Sequence, residues 1–84
     1  YPNPFSERTT IRFDLPEAAD VRVRIFTILG QEINTEARGV LPAGQHQMVW
    51  DGTARSGSRM GSGIYFYEVR ASQEAFTGTM TLVR

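Results

Sequence analysis

The feature that most constrains this sequence is a series of short apolar runs alternating in period two. They are separated by glycine- and proline-bearing turns, and no stretch of helical period is long enough to hold a helix. Residues 9–15 (TTIRFDL) set Ile11, Phe13 and Leu15 against Arg12 and Asp14, and Pro16 ends the run. Residues 21–28 (VRVRIFTI) set Val21, Val23 and Ile25 on one face and Arg22, Arg24 and Phe26 on the other. Gly30 is free to take a positive φ and breaks this pattern, after which residues 31–36 resume as a short, more polar edge strand. Residues 39–44 (GVLPAG) form a second punctuated stretch, followed by residues 45–50, where His46, Met48 and Trp50 share a face. Residues 64–72 (IYFYEVRAS) are dense in aromatic and β-branched side chains and read as a buried strand. A polar turn at 72–74 lets residues 75–83 return as the last strand, with Phe76, Met80 and Leu82 facing inward. Only residues 16–20 (PEAAD) have helix-forming composition, and five residues cannot hold an isolated helix.

Short strands spaced by about 8 to 14 residues, with no helix between them, predict an all-β fold: an immunoglobulin-like antiparallel β-sandwich of about seven strands. At 84 residues the chain is one domain, with residues 1–8 as a boundary segment in which Pro2 and Pro4 favour extended backbone. A chain this size buries only roughly 60–65% of its unfolded surface, so the core is thin and a deep catalytic cleft is not expected. There is no cysteine, so Trp50 is expected to fill the space that a disulfide occupies in antibody domains.

Composition narrows the function classes. Nine basic and nine acidic residues cancel, so no net field draws the domain to nucleic acid or an anionic membrane. Every basic residue is arginine, which excludes a lysine nucleophile, and the missing cysteines exclude thiolate catalysis and cysteine-ligated zinc. No apolar run approaches the roughly 18 residues of a membrane span, so the chain is not an integral membrane segment. The sequence starts at Tyr1 without Met and reads as a piece of a larger precursor.

No constellation for catalysis assembles. His46 is the only imidazole, and although Asp51 and Ser56 lie nearby, neither sits in a nucleophile motif; His46 reads as a packing or surface residue. The carboxylates are scattered, with no pocket to raise a proton donor's pKa. The loop at residues 51–63 (DGTARSGSRMGSG) opens on an acid and holds four glycines, but it lacks the further acids of a calcium loop and the lysine of a phosphate cradle. Asp51 is expected to accept backbone N–H bonds in an Asp-Gly turn, and neither a metal nor a cofactor is expected. Tyr65, Phe66 and Tyr67 put aromatic rings on both faces of one strand, which leaves a carbohydrate-binding or cell-adhesion surface as the alternative to a purely structural strand.

Taken in order, YPNPF (1–5), TTIRFDLP (9–16), VRVRIFTILGQEI (21–33), PAGQHQMVWDG (42–52), SGIYFYEV (62–69) and MTLVR (80–84) resemble the type A C-terminal sorting domain of the bacterial type IX secretion system. The resemblance covers essentially the whole chain. A related family by pattern is the immunoglobulin-like domain of the flagellar hook-capping protein, which shares the WDG loop and the G-x-Y strand and lacks the YPNPF opening and the basic terminal strand.

The resemblance implies a non-catalytic secretion signal that directs an upstream cargo domain across the outer membrane. The implied partners are the outer-membrane translocon and a sortase-like peptidase that removes the domain, and the implied location is the periplasm in transit, then the cell surface or the medium. By matched position, translocon recognition would fall on Gly63, Tyr65, Met80, Leu82, Val83 and Arg84, while Trp50, Asp51 and Gly52 form the fold-making WDG motif.

Overall fold

Alternation in the sequence becomes burial in the computed structural model, which describes residues 8–84. Six strands form among them: β1 Thr9–Leu15, β2 Ala19–Thr27, β3 Glu32–Leu41, β4 Gly44–Trp50, β5 Gly63–Ala71 and β6 Glu74–Leu82. β1 and β4 make a two-stranded sheet, and the second sheet runs β3-β2-β5-β6. Every pairing is antiparallel, giving the expected sandwich. The YPNPF opening lies outside the described residues.

The inward positions fuse into one apolar cluster. β1 gives it Ile11 and Leu15, β4 gives Met48 and Trp50, and β2 gives Val21, Val23 and Ile25. β5 adds Tyr65, Val69 and Ala71, and β6 adds Met80 and Leu82. Burying each such aliphatic side chain contributes roughly 1.5–3 kcal/mol before entropy is counted. Trp50 is 2% exposed and meets Tyr65 edge-on, ring centroids 5.0 Å apart at 70°. It fills the space between the sheets as its size suggests.

Two details differ from the reading of the sequence. β3 does not stop at Glu36 but continues to Leu41, because its register against β2 slips twice, between Ile25 and Phe26 and between Val21 and Arg22. Gly39, at φ +77°, takes up the second bulge, so a residue that reads as a turn lies inside a strand. Phe76 shares the inward face with Met80 and Leu82 yet is 37% exposed. It stands on an edge strand beyond the end of β1, walling an open cleft with Leu15, Pro16 and Ala71.

Candidate functional site

The loop between β4 and β5 organises one end of the sandwich. Asp51 Oδ1 accepts from the Thr53 backbone N–H (3.1 Å) and the Thr53 hydroxyl (2.6 Å), closing the turn that the Asp-Gly pair predicts. The Thr53 hydroxyl bond is the main reason the Asp51 carboxyl is held below its ordinary pKa; partial desolvation opposes it, and backbone N–H bonds and the charge of Arg8 add to it. The Trp50 indole N–H donates to Thr53 O (2.8 Å), which also accepts from Asn34 Nδ2 of β3 (3.1 Å). Ala54 N–H to Ser58 O, Gly57 N–H to Ala54 O and Arg55 N–H to Ile33 O complete a loop tied to itself and to β3.

The end of the sequence folds onto this loop. Arg84 donates from Nη2 to Gly52 O (2.6 Å), from Nε to Met60 O, and from its backbone N–H to Ser62 Oγ (2.9 Å). Gly52 is buried at φ +83°, and a Cβ there would collide with the Arg84 guanidinium and lie 3.1 Å from Leu82 Cδ2. Gly63 pairs with Leu82 and Tyr65 with Met80, and the Tyr65 hydroxyl donates to Gly61 O (2.7 Å). Thus Trp50, Asp51, Gly52, Gly63, Tyr65, Met80, Leu82 and Arg84 come together at one junction. Val83 is the exception, 62% exposed.

Sequence reasoning missed Thr53, Met60 and Ser62. Thr53 carried a signal, since a threonine two residues after an aspartate suits an Asx turn; Met60 and Ser62 carried none.

Trp50, Tyr65, Met80 and Leu82 are buried, so a partner does not reach these four side chains from outside. Among the described residues β6 pairs only with β5, in unbroken register from Gly63–Leu82 to Ala71–Glu74. Its outer positions Thr77, Thr79 and Thr81 are exposed, and residues 75–83 contain no charge and no proline. The opposite edge, β3, is bulged twice and carries Glu32, Glu36 and Arg38. Bulges and charges are the devices that keep sheet edges from pairing with other chains. Among the described residues one edge is blunted and the other is open.

The outer face of the larger sheet is mostly polar. Arg24 bonds Glu68 (2.9 Å) and Glu32 (3.2 Å), and Glu68 also meets Arg70 (3.5 Å), a ladder across β3, β2 and β5. The Glu68 hydrogen bond is the main reason that Arg24 is held protonated still more firmly than usual. Phe26 and Phe66 are cross-strand neighbours, with the Arg24 guanidinium 5.2 Å from the Phe26 ring. Of the three consecutive aromatics, only Phe66 faces out; Tyr65 is in the core, and the Tyr67 ring lies over Gly78, where a Cβ would be 2.5 Å from its hydroxyl. The aromatic platform is therefore smaller than the sequence suggests.

His46 stacks on Phe13 at 5.6 Å, and its Nε2 lies 2.7 Å from Pro42 O, while the Ser56 hydroxyl donates to Ser58 Oγ (3.1 Å). The two do not form a nucleophile–base pair. Among the described residues no cluster of three or more acidic or histidine side chains is placed to hold a metal.

The sequence model of the FlgD Ig-like domain matches residues 5–75. The chain belongs to this family. Among solved structures, the crystal structure of FlgD from P. aeruginosa is similar at 27% identity with a TM-score of 0.74. That similarity covers 88% of this chain and 57% of that one, so the chain spans little more than half of the solved FlgD chain. No curated protein matches. The FlgD-type match ends at residue 75, just after β6 begins at Glu74, so residues 76–84 and the basic ending lie beyond the matched segment.

Proposed function

We propose that this domain is a non-catalytic recognition module whose terminal strand is read by strand addition, and that it serves as a type IX C-terminal sorting signal for an upstream cargo. The observation that carries the reading is the contrast between the two edges of the larger sheet. After Glu74, β6 offers eight residues of regular, uncharged edge, whereas β3 is bulged and charged. In strand addition, main-chain hydrogen bonds supply affinity and alternate side chains supply specificity, so an open edge suits a protein partner. The partner is the outer-membrane translocon, and removal by a sortase-like peptidase would follow at the boundary segment. Buried Met80 and Leu82 then hold the strand in register rather than touching the partner, and Val83 and the threonine row are the side chains it meets.

Membership of the FlgD-type family favours a second reading, an assembly module that docks to a protein filament or to its own kind. The matched segment stops before most of β6, which is the part on which the sorting reading rests.

A fluorescent reporter with a signal peptide in front and residues 1–84 behind separates the two. Surface or medium fluorescence in a bacterium with an intact type IX system, and periplasmic retention in its translocon-deficient twin, is the expected result. Periplasmic retention of a folded domain in both strains overturns the sorting reading and leaves the assembly reading.

A further inference from the structure

The loop at residues 51–62 is tied together by bonds of its own. Its own bonds, from Thr53 to Asp51, Trp50 to Thr53, Ala54 to Ser58 and Arg55 to Ile33, involve no atom of residues 83–84. Met60 N–H donates to Gly52 O (2.8 Å), which fixes the Gly52 and Met60 strands of the loop side by side. The carbonyl oxygens of Gly52 and Met60 thereby converge on one point, and the Arg84 guanidinium occupies it. Gly52 is the floor: it is buried, and any Cβ would fill the guanidinium's space. Two neutral carbonyls at fixed separation suit a planar fork of N–H donors better than the single point of an ammonium.

We infer that the loop is a guanidinium receptor, with Gly52 O and Met60 O among its acceptors and Gly52 as its floor, and that Arg84 is its resident ligand. Seating Arg84 clamps the end of the chain beyond the last β5–β6 pair, Gly63–Leu82, together with the Ser62 hydroxyl that bonds the Arg84 backbone. The WDG loop and the basic ending, separated by some thirty positions, are then two halves of one device. The inference stands whether or not β6 is read by a translocon. It adds to that reading a role for the basic residue that follows β6: without the clamp, the end of the edge strand frays.

The test compares the wild-type chain with Arg84→Ala and Arg84→Lys by amide NMR and hydrogen exchange, using ethylguanidinium and ethylammonium as probes. In R84A the amides of residues 60–63 and 82–83 are expected to lose at least tenfold in exchange protection, while β2 and residues 64–71 of β5 keep theirs. Millimolar ethylguanidinium should then shift the Gly52 and Met60 amides saturably in R84A, leaving them unmoved in the wild type, where the site is filled. Ethylammonium should not do so. R84K should fall between the two in protection, and it carries the exchange comparison if R84A proves unfolded. Unchanged protection in both variants, or a shift in R84A that is linear in ethylguanidinium or equal with ethylammonium, overturns the receptor.

Discussion

At the scale of single residues, the fold-making roles of the WDG motif divide cleanly. Trp50 is core, Asp51 caps the turn, and Gly52 leaves room for another residue's side chain. The Asp51 carboxyl, with its pKa lowered chiefly by the Thr53 hydroxyl, makes a testable pH signature. A carboxylate whose folded pKa lies below its unfolded value near 3.9 stabilises the fold above that pH, and the contribution is lost as pH falls through the lowered folded value. Asp51→Asn should therefore flatten the fall in Tm below about pH 4, while the variant and wild-type curves run parallel above pH 5. Identical slopes under acid would contradict the role given to the Asp51 turn. Trp50 and Asp51 could be read from sequence because their partners are local or generic. Gly52 could be read as a turn residue, but not as the neighbour of Arg84, 32 residues away, because no local pattern encodes that contact.

Among the elements, the β5–β6 hairpin carries the one conformational compromise. Ser72 sits at φ +58°, the only positive-φ residue other than glycine among those described, in a two-residue turn between the paired Ala71 and Glu74. A side chain there costs on the order of 1 kcal/mol relative to glycine. The Ser72 N–H bond to Asp20 O (3.1 Å) needs only backbone and survives the change. Ser72→Gly should thus raise stability by about 0.5 kcal/mol, after the entropy of a freer unfolded chain is subtracted, and lift Tm by about 2–4 °C in thermal unfolding. A lower Tm would mean that the serine side chain contributes more than its backbone strain costs. Five strands could be read closely from alternation, since in each the inward residues repeat every second position. β3 could not, because its two bulges shift the phase and residues 36–40 are all exposed. A bulged strand does not show a period of two.

For the whole molecule, the asymmetry between its edges matters more than any pocket. The six strands described make a thin sandwich, and along β6 a partner would meet main chain, the exposed threonines and Val83. Net charge is zero, so the recognition proposed would rest on hydrogen bonding and shape with little long-range steering. Blunting the β6 edge should thus abolish function while leaving the fold in place, and blunting β3 should do nothing. The most direct measurement is export of the reporter by an intact type IX system with Thr77→Lys and Thr79→Lys introduced together on β6, beside Ala37→Lys on β3, with each domain shown by circular dichroism and Tm to be folded. The expected result is at least a tenfold loss of surface fluorescence for the β6 pair, with wild-type export for A37K. Wild-type export from a folded T77K/T79K domain would contradict the claim that the terminal edge is the surface that is read.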